Sequence, residues 1–365
     1  MSADLDQRFM ALALTLGRRG LGNAWPNPAV GAVVVKDGVL LGRGWTQPGG
    51  RPHAEVEALR RAGAAARGAT LYATLEPCSH HGQTPPCVDA ILAAGIARVV
   101  SALEDPNPQI AGQGHARLRA AGIAVEVGLG SEQALRDHAG HFRRVRDGRP
   151  HVTLKLAVSA DGKVGLPGRK PAQITAEAAR ARAQAMRAMN DALVTGIGTV
   201  LADDPQLNVR LPGMAARSPV RVVLDSTLRL PEQSKLVASA SRTLDWVFVD
   251  RDAAPDHERA LTDAGVEVLR VPGRDGKLDL SAVLRALAGR GITRVMVEAG
   301  PILSAAFLAA DLVDAAALFR SPQPLGEGID ALEGLPLSAL TLSPKLRLVG
   351  SEQVGADTLQ MFERK

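Results

Sequence analysis

The sequence predicts an α/β protein built as two domains. Three observations carry this expectation. Strand-like apolar runs alternate with helical patterns along the chain, the rhythm pauses once near residue 148 and restarts, and 365 residues is long for one core and comfortable for two. The boundary falls in Arg143-Arg144-Val145-Arg146-Asp147-Gly148-Arg149-Pro150, read as a linker because it is basic and ends in glycine and proline. The expected domains are 1–148 and 149–365.

In the first domain, Leu5, Phe9, Leu12 and Leu16 recur at helical spacing, so 5–19 is expected to be a helix. Residues 30–35 are apolar and β-branched and predict a strand. Asp37-Gly38 is a turn signal, and 39–41 returns as the hairpin partner. The alanine-rich stretch 54–67 predicts a helix stopped by Gly68. Strands at 70–75, 98–100 and 123–127 and helices at 88–94 and 118–121 follow, implying a parallel or mixed sheet with helices on its faces. In the second domain, strands are expected at 152–158, 192–194, 220–224, 246–249, 266–271 and 294–297. Helices are expected at 175–189, with Thr175 as N-cap, and at 280–288 and 303–310.

Composition narrows the function. Aromatics are only 3% and apolar residues 46%, so the cores rest on Ala, Val, Leu and Ile. No apolar run reaches the length of a membrane span. The N-terminus carries Asp4 and Asp6 and no basic, then apolar, leader, so a cytoplasmic protein with no membrane partner is expected. The two cysteines lie close together among histidines, which argues for metal binding or reactivity over a disulfide. The net charge of +5 fits an arginine-rich solvated surface or a phosphorylated small substrate. Nucleic acid is not expected as a partner, since the cations form no long run and only one Tyr and six Phe are available for stacking.

The chemistry concentrates at His53-Ala54-Glu55 and at Cys78 and Cys87. One imidazole and two thiolates are three ligands that suit zinc, and they leave a fourth tetrahedral position for water. Zinc lowers the pKa of such a water toward neutrality, which permits attack on an amidine-like ring carbon with loss of ammonia. Glu55, at i+2 from His53, does not share its helix face, so it is read as the proton shuttle and not as a ligand. His-x-Glu followed by Pro-Cys-x2-Cys is a general deaminase signature, but here eight residues separate the cysteines. His80 or His81 in that insertion would close the site and make it structural; the alternative is that both are surface loop residues. Asn27, framed by Pro26 and Pro28, is either a contact to a pyrimidine edge or ribose hydroxyl or a plain turn residue. In the second domain Thr195-Gly196-Ile197-Gly198-Thr199 fails the dinucleotide fingerprint because Leu201 stands where a third glycine is needed. Its glycines, and Gly300-Pro301 at a helix start, still suit a phosphate.

Taken together, Pro26-Asn27-Pro28-Ala29-Val30-Gly31, His53-Ala54-Glu55, the run Thr74-Leu75-Glu76-Pro77-Cys78 through Pro85-Pro86-Cys87, and Asp105-Pro106-Asn107-Pro108 resemble the bifunctional deaminase/reductase family of riboflavin biosynthesis. In the second half Leu154-Lys155, Ser159-Ala160-Asp161-Gly162-Lys163, Leu201-Ala202-Asp203-Asp204-Pro205, Val223-Leu224-Asp225-Ser226 and Val297-Glu298-Ala299-Gly300-Pro301 continue the match. The resemblance runs from about residue 5 to the C-terminus. It implies a cytidine-deaminase-like three-layer α/β/α domain followed by a dihydrofolate-reductase-like α/β domain. It also implies two reactions. One is zinc-dependent deamination of 2,5-diamino-6-(5-phosphoribosylamino)pyrimidin-4-one; the other is NADPH-dependent reduction of the ribosyl chain of the resulting uracil to ribityl.

By similarity, His53, Cys78 and Cys87 hold one Zn2+ per chain and Glu55 is catalytic. Ala157, Gln173, Thr199, Asp203, Ser226 and Gly300, Pro301, Ile302, Leu303, Ser304, Ala305 and Ala306 occupy cofactor positions. Asn27, Lys155, Pro171, Arg187, Leu207, Arg210 and Glu298 occupy substrate positions. Arg187 and Arg210 suit a clamp on the ribose phosphate, and Lys155 a polarising donor. The family often carries Ser-x-Trp where this chain has Pro171-Ala172-Gln173, and many members have an aromatic–His pair at Trp45-Thr46. Altered geometry or a weakened reductase is therefore expected around 167–173. A small phosphorylated pyrimidine is the expected partner, and a homo-oligomer the expected assembly. Two other readings remain at this point: a nucleic-acid base deaminase with an RNA-binding second half, and a scaffold with structural zinc and a silent second domain.

Overall fold

The computed structural model describes residues 3–108, 110–170 and 172–365. The chain divides into two compact units, Met1–Arg149 and Pro150–Lys365.

The first unit runs α1 (Ala3–Gly17), β1 (Gly31–Lys36), β2 (Val39–Trp45), α2 (Ala54–Ala62), β3 (Thr70–Ala73), α3 (Cys87–Ala93), β4 (Arg98–Ser101), α4 (Gln113–Ala120), β5 (Ala124–Val127), α5 (Ser131–Asp137) and α6 (Ala139–Asp147). Its sheet has the order β2-β1-β3-β4-β5. β1 pairs antiparallel with β2 and β3, while β3, β4 and β5 are parallel. Alternate side chains leave a strand on opposite faces. Ala32, Val34, Leu71 and Val99 accordingly pack with α2, α3 and α4, and Val33, Val35, Tyr72 and Val100 pack with α1 and α5. This is a three-layer α/β/α sandwich. Gly42 and Gly44 let α2 lie flush on β2, since a Cβ on either would run into the α2 backbone at Ala58 or Ala54.

Two expectations are corrected here. The helix from Ala54 ends at Ala62, because Gly63 (φ +56°) turns the chain before the expected stop at Gly68. The presumed linker is mostly helix α6, held by Phe142, which is buried with the α2–α4 cluster. A single apolar anchor among arginines gave too little periodicity to read.

The second unit runs β6 (His151–Val158), β7 (Lys163–Gly165), α7 (Glu177–Arg187), β8 (Ala192–Gly196), α8 (Ile197–Asp203), β9 (Val220–Leu224), β10 (Asp245–Asp250), α9 (Glu258–Asp263) and β11 (Val266–Val271). It continues with the short pair β12 (Gly273–Arg274) and β13 (Lys277–Leu278), then α10 (Leu280–Gly289), β14 (Arg294–Val297), α11 (Pro301–Ala309), β15 (Ala315–Arg320), β16 (Ile329–Asp330), α12 (Ser338–Thr341), β17 (Leu346–Val354) and β18 (Asp357–Arg364). The main sheet has the order β11-β10-β9-β8-β14-β6-β15-β18-β17, parallel from β11 to β15 and antiparallel across β15-β18-β17. Leu193, Val223, Val247 and Met296 pack with Ile197 and Val200 of α8 and Leu261 of α9. The α7 side chains Ala179 and Ala183 cover Ala317, Phe319 and Leu359.

Thr175 is not the N-cap of α7. The helix starts at Glu177, Ala176 is its N-cap, and the Ala176 N–H donates to the Asp357 carboxylate at 2.7 Å. A capping group from 181 residues away is invisible to a local reading.

Candidate functional sites

In the first unit, ligand residues sit at the N-termini of α2 and α3. His53 is the extended residue before α2, Glu55 lies in that helix's first turn, and Cys87 is the first residue of α3. Cys78 sits in the loop after β3, and its sulfur accepts the Cys87 backbone N–H at 3.2 Å. His53 Nδ1 lies 3.3 Å from Cys87 Sγ and 3.6 Å from Cys78 Sγ. Zinc bonds of about 2.0 Å to nitrogen and 2.3 Å to sulfur, at a tetrahedral angle, would set such atoms roughly 3.6 Å apart. The donor set thus fits zinc in both chemistry and spacing. Among the described residues, only His53, Cys78 and Cys87 form this group.

The insertion 79–86 loops outward, and His80 and His81 are both exposed. His81 instead approaches Asp89 at 3.9 Å. Neither closes the group, which remains three-membered. Asn27 lies behind the imidazole: its amide donates to the Gly50 carbonyl at 2.9 Å and is 3.1 Å from His53 Nε2. It therefore touches the ring edge opposite the sulfurs.

The Cys87 side chain lowers the Cys78 thiol to about 4, helped by His53 and the Cys87 backbone N–H against the cost of burial. Cys87 itself is raised by its contact with Cys78. Glu55 is 3% exposed, and burial pushes its carboxyl up to about 7. Burial opposes charging of His53, but Cys78 and the Glu55 charge outweigh it and raise the imidazole. A buried carboxyl of this kind, beside an open ligand position, suits proton transfer near neutral pH.

The sequence suggests no role for Glu76. Its buried carboxylate accepts the backbone N–H groups of Asp105, Gly112, Gly114 and His115 at 2.8–3.3 Å. It fastens the segment 105–115 to the loop carrying Cys78. Glu76, Glu104 and His115 also cluster closely enough to suggest a metal, but the Glu76 oxygens are occupied by those four donors. Its adjacency to Pro77-Cys78 was the only signal in the sequence.

The second unit contains a cavity of about 790 Å³ at the C-terminal ends of β6, β14, β8 and β9, where open α/β sheets bind ligands. Ala157, Gln173, Thr199, Asp203, Ser226, Gly300, Pro301, Ile302, Leu303 and Ala306 are on its wall, as are Lys155, Arg187, Arg210 and Glu298. Both glycine turns, Gly196-Ile197-Gly198-Thr199 and Ala299-Gly300-Pro301, also line it. Three expected residues are elsewhere. Leu207 is buried in the β8–β10 cluster, the Ser304 hydroxyl donates to the Ala299 carbonyl at 3.2 Å, and Ala305 is buried. Pro171 lies outside the described residues.

Within the cavity Arg187 forms two bonds to Glu298, Nε–Oε1 at 3.1 Å and Nη2–Oε2 at 2.6 Å. Burial pushes Glu298 up, yet Arg187, Lys155 and Arg210 together bring it below the usual range. Lys155 Nζ lies 5.9 Å from the Phe319 ring centroid. The wall thus combines a cationic group, a carboxylate and two backbone turns open to phosphate.

Comparison with known proteins covers the whole chain. Residues 3–103 match the cytidine and deoxycytidylate deaminase zinc-binding region, and residues 150–360 match the RibD C-terminal domain. The chain is 41% identical to the riboflavin biosynthesis protein RibD of Escherichia coli K12 over 364 residues, covering 96% of this chain and 97% of that one. Identity to the Aquifex aeolicus RibD is 38%, with 100% of each chain covered. Among solved structures, Acinetobacter baumannii RibD superposes with a TM-score of 0.87 at 37% identity over 100% of both chains. The diaminohydroxyphosphoribosylaminopyrimidine deaminase/5-amino-6-(5-phosphoribosylamino)uracil reductase of Thermotoga maritima gives 0.85 at 36% identity over 99% of both.

Proposed function

Since the chain belongs to the RibD family, a zinc-domain deaminase and a dihydrofolate-reductase-like reductase of riboflavin biosynthesis on one polypeptide, we propose how its residues divide the two reactions. His53, Cys78 and Cys87 hold one Zn2+, and Glu55 carries the proton. The second-half cavity takes NADPH and the phosphorylated aminouracil. The family match over 150–360 favours a reductase over an RNA-binding second half, and turnover with NADPH in the test below separates it from a silent one.

The three-membered, zinc-spaced ligand group with a buried carboxylate beside it carries the deaminase assignment. Zinc held there supplies a Lewis acid that makes water nucleophilic at neutral pH. Asn27, at the edge of the His53 ring, contacts the pyrimidine substrate. Glu55 takes the two protons of the attacking water in turn, passing the first to the ring nitrogen and the second to the departing amine, so that ammonia leaves neutral.

In the reductase half, the dihydronicotinamide supplies the hydride. The turns at 196–199 and 299–303 receive its phosphates on backbone N–H groups, and Gln173, Asp203 and Ser226 contact the rest of the cofactor. Arg187 and Arg210 hold the substrate phosphate, while Lys155 polarises the sugar carbon's oxygen or nitrogen and Glu298 keeps Arg187 in place. Gln173 offers hydrogen bonds where many relatives place an indole, so the cofactor stacks less and is held more by polar contacts. Two unpaired cysteines serving as ligands suit a reducing, cytoplasmic setting. Exposed Leu348 and Val349 on the outer strand β17 favour a homo-oligomer.

The test is incubation with the diaminopyrimidine ribose phosphate, with and without NADPH, with products read by mass. The deaminated uracil should form in both samples, and the ribityl product only with NADPH. Absence of either product from a zinc-loaded protein removes the corresponding half of the proposal.

A further inference from the structure

The two cavity arginines are not independent. Arg187 uses Nε and Nη2 on Glu298 and donates Nη1 to the Asn208 carbonyl at 3.0 Å. Arg210 donates Nη1 to the Asn208 side-chain Oδ1, also at 3.0 Å. One residue therefore accepts from both guanidiniums, through its main chain on one side and its side chain on the other. Left alone, two like charges at one wall separate, and an exposed arginine samples many rotamers. Burial and the Arg187 charge both act to lower Arg210 from its usual value, which records that the two groups feel one another.

Asn208 is itself held on both sides. The Gln206 carbonyl accepts from buried Arg221 at 3.2 Å, and the Val209 N–H donates to Ser218 Oγ at 3.0 Å. Leu207, with φ +47°, is plugged into the core, and the Arg210 N–H donates to Gln184 Oε1 at 2.8 Å. A non-glycine residue at positive φ persists only where its surroundings determine it. Through its buried side chain Leu207 is thus an anchor for its neighbour.

We propose that Asn208 is a positioning residue that couples Arg187 and Arg210 into one clamp for the substrate's phosphate, a proposal that rests on the substrate role given above to those arginines. Around Glu298, the side chains of Lys155, Arg187 and Arg210 leave a local excess of two positive charges, matching a phosphate monoester near neutral pH. Holding the guanidiniums in place before binding removes an ordering cost that each phosphate would otherwise meet. The role is confined to binding: Asn208 touches no reacting atom, and its side chain reaches the substrate only through Arg210.

Asn208→Ala keeps the main-chain acceptor for Arg187 and removes the acceptor for Arg210. Reduction is measured with 5-amino-6-(5-phosphoribosylamino)uracil and with the same compound lacking its phosphate. The expected result is a KM for the phosphorylated substrate raised about tenfold, with kcat within about twofold and the phosphate-free substrate unaffected. Adding Asn208→Ala to Arg210→Ala should change nothing further. Equal losses on both substrates, a fall in kcat alone, or full additivity with Arg210→Ala would overturn the proposal. If Arg187→Ala and Arg210→Ala themselves leave the phosphorylated KM unchanged, the clamp reading fails first. If they raise it and Asn208→Ala does not, only the role of Asn208 fails. Ammonia release by the first half and the thermal melt report folding, and Asn208→Ser, too short to reach Arg210, carries the same test should the alanine variant not fold.

Discussion

Arg187, at the end of α7, meets Glu298, just past β14, in an ion pair closed by two bonds, with side chains 13% and 9% exposed. The carboxylate lies one strand away from Lys155, since β14 is the parallel neighbour of β6. The pair joins the helix that covers one end of the sheet to the cavity floor. It fixes a cation on the cavity wall.

Removing Glu298 leaves Arg187 poorly solvated and unpaired. Glu298→Ala is expected to lower the stability of the second unit by about 2–4 kcal/mol and to abolish reduction while leaving ammonia release intact. Denaturant unfolding followed alongside the two activities checks this. The pH dependence has a definite sign. The folded carboxyl titrates below its ordinary value of 4.5, so its contribution is complete above that value and is lost as pH falls through the lowered one. Wild type should therefore lose more stability than Glu298→Gln on acidification below about pH 4.5.

Arg221 is 1% exposed and bonds to Asp245 at 2.7 Å, to Ser239 Oγ, and to the carbonyls of Gln206, Leu236 and Thr243. Arg221→Ala strands a buried carboxylate and several carbonyls. A loss of about 3–5 kcal/mol is expected, with a melting transition lowered far more than for substitution of exposed Arg259.

Gly44 permits the close approach of α2 to β2. In Gly44→Val the added side chain meets the α2 backbone at Ala54 and Ala58 and the Glu57 Cβ, close in sequence to His53 and Glu55. The expected outcome is overpacking of about 1–3 kcal/mol together with weakened zinc retention under chelator challenge. Gly38→Ala, in the open hairpin turn, should leave zinc retention unchanged.

The ligand set is separable from the exposed insertion. His80→Ala and His81→Ala should keep one zinc per chain, whereas Cys78→Ala and Cys87→Ala should lose it. Metal analysis after dialysis distinguishes these outcomes. Zinc loss in either histidine variant would mean that the fourth position is not open.

How far this could be read from sequence depended on the range of the interactions. The deaminase strands are legible because β1 and β4 are short valine-rich runs and β3 carries Thr and Tyr, each between clear turns. The eight-residue spacing of Cys78 and Cys87 weakened the general motif, yet the structure absorbs it in an exposed loop that returns Cys87 to the start of α3. In the reductase half, β15 (Ala-Ala-Ala-Leu-Phe-Arg) was missed because alanine has low β propensity. The β17–β18 hairpin was missed because β17 is exposed almost throughout and shows no clean alternation. Helix α8 was taken for a glycine loop. Leu207 and Ser304 are expected at the cavity by resemblance, and the burial of their side chains is not legible in a local pattern. Asn208 and Glu76 act by contacts that no local pattern encodes.

The most direct test counts zinc and ammonia on the same sample of Glu55→Gln. The variant should hold one zinc per chain, as wild type does, with ammonia release slowed by about 10²–10⁴-fold. A variant that keeps its zinc and still deaminates at the wild-type rate would contradict the assignment of Glu55 as the proton carrier beside an open metal position.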